Sequence, residues 1–231
     1  MDLFYVEHIS NKKLSVSESK HCLTALRKKV NEKILLTEGK GITYSAIIES
    51  IQNGQVIYTN IKSIYTYLRK PKIHIAIAPT KNKARFEWFL EKATEIGVDI
   101  ISPLICQYSE RNKINETRAK KILISAMKQS KNPILPTLNS PISFEEMMKN
   151  PPKNCYIAHC QNRKKIPFKN LLVNLKNQHT ISLFIGPEGD FSEKELNFAE
   201  KIGFVSITLG EQRLRTETAG IVGCNMINLL L

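Results

Sequence analysis

The sequence predicts a small β-barrel followed by an α/β domain with a largely parallel sheet. Three observations carry this expectation. Short β-prone runs separated by turn residues fill roughly the first seventy positions. A mostly apolar, β-branched run, Ile73–Ala78, then opens a different rhythm. From there strand and helix patterns alternate over about 150 residues, which is how a parallel sheet with crossover helices reads. The expected domains are therefore 1–70 and 71–231.

In the first domain, Ile34–Leu36 precedes Glu38-Gly39-Lys40-Gly41, whose glycines suit a hairpin turn into Thr43–Ile48. Asn53-Gly54 separates that run from Val56–Tyr58; both residues accept positive φ, so this is a strong hairpin signal. One short helix is expected near Ser17–Lys29, and Thr66–Lys72 reads as the connection onward. In the second domain, Ile73–Ala78 ends at Pro79 as a buried parallel strand would. Phe86, Phe89, Leu90, Ala93 and Ile96 recur at helical spacing, and Gly97 stands where a left-handed cap is wanted. Val98–Ile101 reads as a strand, and Glu116–Ser130 as a helix closed by Pro133 and Pro136. Cys155–His159, Ile181–Ile185 and Phe204–Leu209 are further strands. Ser192 with Glu195 has capping-box spacing, and Thr216 or Thr218 opens a last apolar helix to Leu231.

Composition narrows the function classes. Thirty-four Lys and Arg against 21 Asp and Glu give a formal charge of +13, which attracts polyanions. Residues 1–70 contribute +5 and residues 71–231 contribute +8, so no basic tail accounts for the excess. Arg111–Lys131 holds seven basic residues and one acid, and Lys153–Lys176 holds no acid. Such runs suit RNA contact or ordinary solvated faces equally well. No apolar stretch reaches the roughly 18–20 residues of a membrane helix, and the acid-bearing N-terminus lacks a signal-peptide core. A cytoplasmic protein without membrane contact is the simplest reading. Cys22, Cys106, Cys155, Cys160 and Cys224 are scattered and odd in number, against a disulfide framework. Cys155, His159 and Cys160 lack paired metal-ligand spacing and alternate like a buried strand, so no metal is expected.

Two segments carry more chemistry than connectors require. In the first, a strand enters the turn Ile185-Gly186-Pro187-Glu188-Gly189-Asp190 and a helix follows. Loops after parallel strands are where α/β proteins bind ligands, and glycine admits a ligand close to the backbone. This is no phosphate loop, lacking both the Gly-Lys-Ser/Thr ending and the GxGxxG spacing. The second is Leu209-Gly210-Glu211-Gln212-Arg213-Leu214-Arg215-Thr216-Glu217-Thr218-Ala219, with two arginines, a glutamate and two threonines in six positions. Singly, Thr216 and Glu217 read equally as helix caps.

Together these segments resemble the SPOUT methyltransferases, specifically the family that methylates N3 of a uridine in small-subunit ribosomal RNA. That family ends with a Gly-Pro-Glu-Gly-Gly-Phe turn and a Leu-Gly-x-x-Ile-Leu-Arg-x-Glu-Thr-Ala segment. The likeness extends to Glu91–Val98, to Ala126, Gln129, Ser130 and Pro136, and to His21 with Leu26-Arg27. Departures stand at Asp190 (usually glycine), Arg213 (usually isoleucine or valine), Asn31-Glu32 (usually Gly-Asp) and Asn132 (often arginine).

The resemblance implies an N-terminal PUA-like β-barrel and a trefoil-knotted α/β domain that clasps S-adenosylmethionine. Cofactor contacts are then expected from Phe184, Ile185, Gly186, Pro187, Glu188, Gly189, Leu209, Gly210, Leu214, Arg215, Thr218 and Ala219. It further implies a homodimer with the last helix in the interface, acting on 16S ribosomal RNA in the small subunit. Arg215 is expected to stabilise the uridine imide anion or anchor a phosphate. Glu217 either helps deprotonate N3 or orients Arg215 and caps the helix. Arg27, Lys28, Lys81, Lys83, Arg85 and Gln129 are candidate RNA contacts. Competing readings are a knotted methyltransferase of transfer RNA and a noncatalytic RNA-binding protein on the same scaffold. A nucleotide-binding α/β enzyme is disfavoured by the missing phosphate loop.

Overall fold

The computed structural model describes residues 2–67, 71–171, 175 and 179–229. Its contacts divide the chain into two units, Met1–Leu68 with Ile124–Leu135, and Arg69–Leu123 with Pro136–Leu231.

The first unit begins with strand β1 (Leu3–Tyr5) and helix α1 (Val16–Lys20), followed by β2 (Lys33–Thr37), β3 (Ile42–Gln52) and β4 (Gln55–Thr66). They form one sheet in the order β1-β2-β3-β4. Both expected hairpins are present: Gly39 and Gly41 take positive φ between β2 and β3, and Asn53 (φ 49) and Gly54 (φ 76) join β3 to β4. The glycines do a second job. A Cβ on Gly39 would stand 2.6 Å from the Leu135 Cβ, so glycine there lets residues 133–135 dock on the turn. The docking is hydrogen-bonded, from Gly41 N–H to the Pro133 carbonyl (2.9 Å) and from Leu135 N–H to the Gly39 carbonyl (2.9 Å). The helix expected over Ser17–Lys29 is shorter. Ser15 caps α1 by accepting the Glu18 N–H, and a wide π-type turn spans His21–Ala25. Arg27 then adopts a left-handed φ of 52 that ends the helical path. Phe4, Leu14, Ile34, Leu36, Ile48, Val56 and Tyr58 form the buried core of this unit. Each contributes about 1.5–3 kcal/mol relative to exposure.

The second unit contains β5 (Lys72–Ile77), α2 (Lys83–Ile96), β6 (Ile100–Ile105), the first half of α3 (Glu116–Ser130, which from Ile124 on belongs to the first unit), β7 (Thr137–Leu138), β8 (Ile142–Ser143) and α4 (Phe144–Lys149). It continues through β9 (Cys155–Ala158), β10 (Ile166–Pro167), α5 (Phe168–Leu171), β11 (Thr180–Ile185), α6 (Glu193–Lys201), β12 (Val205–Thr208) and α7 (Thr216–Asn228). Eight strands pair in parallel in the order β10-β12-β9-β11-β5-β6-β7, with β8 also on β6. Asn82 and Gly97 cap α2, and Ser192 with Glu195 closes a full capping box on α6.

Alternation along β5 sends its residues to two layers. Ala76 and Ala78 join Phe184, Phe191, Leu196, Phe144 and Met147 under α4 and α6. Ile77 faces the other way, toward Phe89 and Gly220, where α2 meets α7. Gly220 and Gly223 permit that approach, since Cβ atoms there would overlap Phe89 and Leu183 respectively. A buried polar chain crosses the central strands: His74 meets Ser102 at 2.9 Å and Ser182 at 3.2 Å, and Asn139 donates to Ser102 at 2.8 Å.

Several boundaries differ from the sequence reading. The strand expected at Val98–Ile101 runs over Ile100–Ile105 instead. Pro103 is tolerated inside it because β7 pairs only Ile100 and Ile101 while β8 pairs Leu104 and Ile105, leaving no strand partner beside the proline on that edge. The strand expected to reach Leu209 ends at Thr208, where the Thr208 hydroxyl turns to donate to the Gly210 carbonyl. The last helix ends at Asn228, and Leu230 and Leu231 lie outside the described residues, as do Leu68–Lys70 of the connection. Among the described residues no helix is long and apolar enough to cross a membrane.

Candidate functional site

The ends of β11, β9 and β12 lie side by side, and the two chemistry-bearing segments leave from two of them. After Ile185 the chain turns through Gly186–Asp190, closed by Asp190 N–H on the Pro187 carbonyl (2.9 Å). A Cβ on Gly186 would sit 3.0–3.2 Å from Phe191, so glycine permits the turn to fold tightly over that buried ring. Asp190, where the resembled family carries glycine, has φ 67. Aspartate tolerates the left-handed region, and its carboxylate accepts two backbone N–H groups, from Phe191 and from Cys160 (2.8 Å each). The second bond ties the end of β9 to the β11 turn. Thr216, buried at the start of α7, donates to the Gly186 carbonyl at 3.0 Å and ties the two segments to each other.

Between these ends lies a cavity of about 360 Å³, inside the range typical of small-molecule sites. Ile185, Gly186, Pro187, Glu188, Leu209, Gly210, Leu214, Arg215 and Ala219, all expected cofactor contacts, line it. Three expected residues do not. Phe184 is wholly buried against Phe204 and pairs within the sheet. Gly189 packs against Tyr108, and Thr218 lies on the neighbouring open cleft. Sequence reasoning missed the contribution of β9: Ala158, His159 and Cys160 line the cavity, as do Asp190, Gln212, Arg213 and Thr216. The signal was present, because a parallel strand ending at Ala158 delivers its next residues to the same rim.

The lining is mixed in charge. Arg85, Arg213 and Arg215 line the cavity together with Glu188 and Asp190, and Ile185, Ile207, Leu209 and Leu214 supply apolar wall. Glu188 also accepts the Lys81 N–H at 3.0 Å, bracing the turn against the loop after β5. His159 is buried with both ring nitrogens unpartnered, and burial together with the nearby Lys165 ammonium lowers its pKa. It is therefore a neutral imidazole at pH 7. Glu217 lies buried in the first turn of α7, with Oε1 3.7 Å from the Arg85 Nε and Oε2 unpartnered. The carboxylate thus sits against Arg85 and not against Arg215, whose side chain makes no cap bond.

The expected RNA contacts fall in both units. Arg27, Lys28 and Gln129 belong to the first, where Arg27 and Gln129 are exposed and Lys28 is paired with Asp2 and Glu32. Lys81, Lys83 and Arg85 belong to the second, around the start of α2. Lys81 is paired with Glu110 at 2.7 Å, and Lys83 is exposed. Among the described residues no three His, Cys, Asp or Glu side chains converge as metal ligands.

Comparison with known proteins matches both parts of this architecture. Residues 68–228 fit the RNA methyltransferase domain family, and residues 14–58 fit the RNA methyltransferase PUA domain. The "Ribosomal RNA small subunit methyltransferase E 2" of Borreliella burgdorferi is 30% identical over 91% of this chain and 88% of its own. A probable rRNA-methyltransferase from Porphyromonas gingivalis superposes with a TM-score of 0.88 at 35% identity, covering 100% of this chain and 98% of that one. The ribosomal RNA small subunit methyltransferase E of Neisseria gonorrhoeae, solved bound to S-adenosyl methionine, gives 0.83 at 25% identity over 100% and 98%. With its PUA domain, its parallel α/β domain and these similarities over nearly its whole length, the chain belongs to the ribosomal RNA small subunit methyltransferase E family.

Proposed function

We propose that this protein transfers a methyl group from S-adenosylmethionine to N3 of a uridine in 16S ribosomal RNA of the small subunit. The observation that carries the proposal is the cavity built jointly by the ends of β9, β11 and β12 and the start of α7. Its donor set fits that cofactor. Apolar walls suit an adenine ring, and Gly210 leaves backbone open to it. Glu188 and Asp190 suit a sulfonium and an ammonium, the arginines suit a carboxylate, and the two unpartnered nitrogens of His159 suit a polar ligand atom. The cofactor supplies a methyl already activated on sulfur, so the chain's contribution is alignment and charge stabilisation.

Arg215 lines both the cavity and the neighbouring open cleft, without an ionic partner among the described residues, and is available to the anion that forms as N3 loses its proton. Glu217 holds Arg85 in place and favours the α7 N-terminus; its contact supports a positioning role in preference to that of a base. A paired uridine hides N3, so the target enters unpaired or extruded from its helix. The strand order supports a knotted SPOUT arrangement, because the chain leaves β12 on the far side of β9 and returns across the strand ends to pack α7 on β5 and β11. A homodimer fits the apolar surface left on α7, where Ile221, Val222 and Met226 are half-buried and Leu229 is exposed.

The test is transfer of labelled methyl to small ribosomal subunits from a strain lacking this protein, with unmodified transfer RNA as the competing substrate. Subunits take label and transfer RNA does not. In Arg215→Ala, transfer measured at saturating S-adenosylmethionine falls on the order of 10²-fold or more. Label in transfer RNA alone would move the activity to the alternative substrate.

A further inference from the structure

Beside the cofactor cavity an open cleft is lined by Arg85, Trp88, Arg213, Arg215, Glu217 and Thr218. Arg85 and Trp88 are three apart on α2 and share a helix face. Trp88 is 44% exposed on a helix whose Phe86, Phe89 and Leu90 are all buried. Among the described residues the Arg213 and Arg215 guanidiniums have no ion pair, and the one carboxylate in the cleft, Glu217, is engaged with Arg85. Three guanidiniums around one exposed indole, with a single acid, make a seat for a flat ring carrying negative charge. An apolar protein partner would have to strip water from three cations to reach Trp88. The homodimer proposed above uses the apolar stretch of α7 from Ile221 to Leu229, whereas the cleft takes from that helix only Glu217 and Thr218 of its first turn.

We propose that this cleft seats a nucleotide of the RNA substrate, its base stacked on Trp88 and its phosphate held by Arg85 and Arg213. This rests on the RNA-methyltransferase reading above and assigns it a substrate subsite that shares Arg85, Arg213, Leu214 and Arg215 with the cofactor cavity. Stacking on an aromatic ring is tolerant of base identity, and arginine adds both phosphate pairing and cation–π contact. Arg213 is the distinctive element here, since the resembled family carries isoleucine or valine at that position. It adds to the cleft a guanidinium that this family pattern lacks.

Trp88 is the single tryptophan of the chain, so its emission reports this site alone. The full-length protein is titrated with a short single-stranded oligouridylate, with and without S-adenosylmethionine. Saturable quenching of Trp88 emission is expected. Arg213→Gln weakens the binding and lowers the slope of log K against log salt by about 0.7, the contribution of one phosphate on a single strand. Trp88→Leu keeps cofactor affinity but raises the apparent KM for small subunits about tenfold, and Trp88→Phe restores most of it. Emission that ignores the oligonucleotide while it binds, or that changes only with protein concentration, would overturn the proposal and leave Trp88 to a contact between copies. Methyl transfer to subunits with a silent Trp88 defeats only this inference. Quenching without methyl transfer defeats the enzymatic reading and keeps the nucleotide seat.

Discussion

Cys160 offers a chemical probe of the cavity at the scale of one residue. It is exposed and lines the site, whereas Cys22, Cys106, Cys155 and Cys224 are buried. Burial pushes the Cys22 thiol up to about 11 and Cys155 to about 12, so both stay protonated at neutral pH. Iodoacetamide on the native protein should therefore modify Cys160 first, and saturating S-adenosylmethionine should slow that reaction severalfold. Peptide mass spectrometry reads both results, and an unprotected Cys160 would place the cofactor elsewhere. At this scale the sequence was partly legible. Gly186 and Arg215 stood out as chemistry. Asp190 read only as a departure from a family glycine, yet its φ of 67 explains both why glycine is usual there and why aspartate is accepted. The same holds for Asn31, at φ 71 in place of a family glycine. The roles of His159 and Cys160 were half legible: the strand leading to them was read, but which neighbouring strand ends share its rim follows only from the sheet order.

The packing of α7 on α2 and β5 depends on glycines at the scale of the element. A Cβ at Gly220 would stand 2.7 Å from a Phe89 ring carbon and 2.8 Å from the Ile77 Cδ1. Gly220→Ala should cost about 1–3 kcal/mol by overpacking, read as a lower urea midpoint at unchanged slope. Because α7 carries Thr216 and Arg215 to the cavity, the variant should also bind S-adenosylmethionine more weakly. Long elements with a clear period were the legible ones: α2, α3, α6, α7 and the strands β3, β5 and β11. Short ones were not. The two-residue strands β7, β8 and β10 carry no detectable alternation, and α4 and α5 are shorter than two turns each. β1 was missed because it pairs in parallel with β2 across some thirty intervening residues, an arrangement that no local turn announces.

Over the whole molecule, the central sheet carries a pH dependence of its own. Burial lowers the His74 pKa from 6.5 to about 4, with its neutral ring bonded to Ser102 and Ser182. In that window the unfolded chain binds a proton that the folded chain does not, so stability falls as pH drops from about 6.5 toward 4. The full effect is on the order of 3 kcal/mol, and His159, lowered in the same direction, adds to it. His74→Gln should flatten the slope of unfolding free energy against pH in this window, measured by urea titration; an unchanged slope would mean that His74 is not neutral in the fold. The parallel α/β domain followed from alternation of strand and helix patterns, and the PUA domain from its hairpins and family likeness. The inclusion of residues 124–135 in the first unit did not, since nothing local in that helix and its tail reveals that Gly39 and Gly41 make room for them.

The central claim is that the joined strand ends hold S-adenosylmethionine and deliver its methyl to uridine N3. Small subunits from a strain lacking this protein would be incubated with it and with cofactor labelled on the methyl group. The RNA would then be digested to nucleosides and separated. Label running with N3-methyluridine is the predicted result. Label in another nucleoside, or none despite measured cofactor binding, would contradict the account.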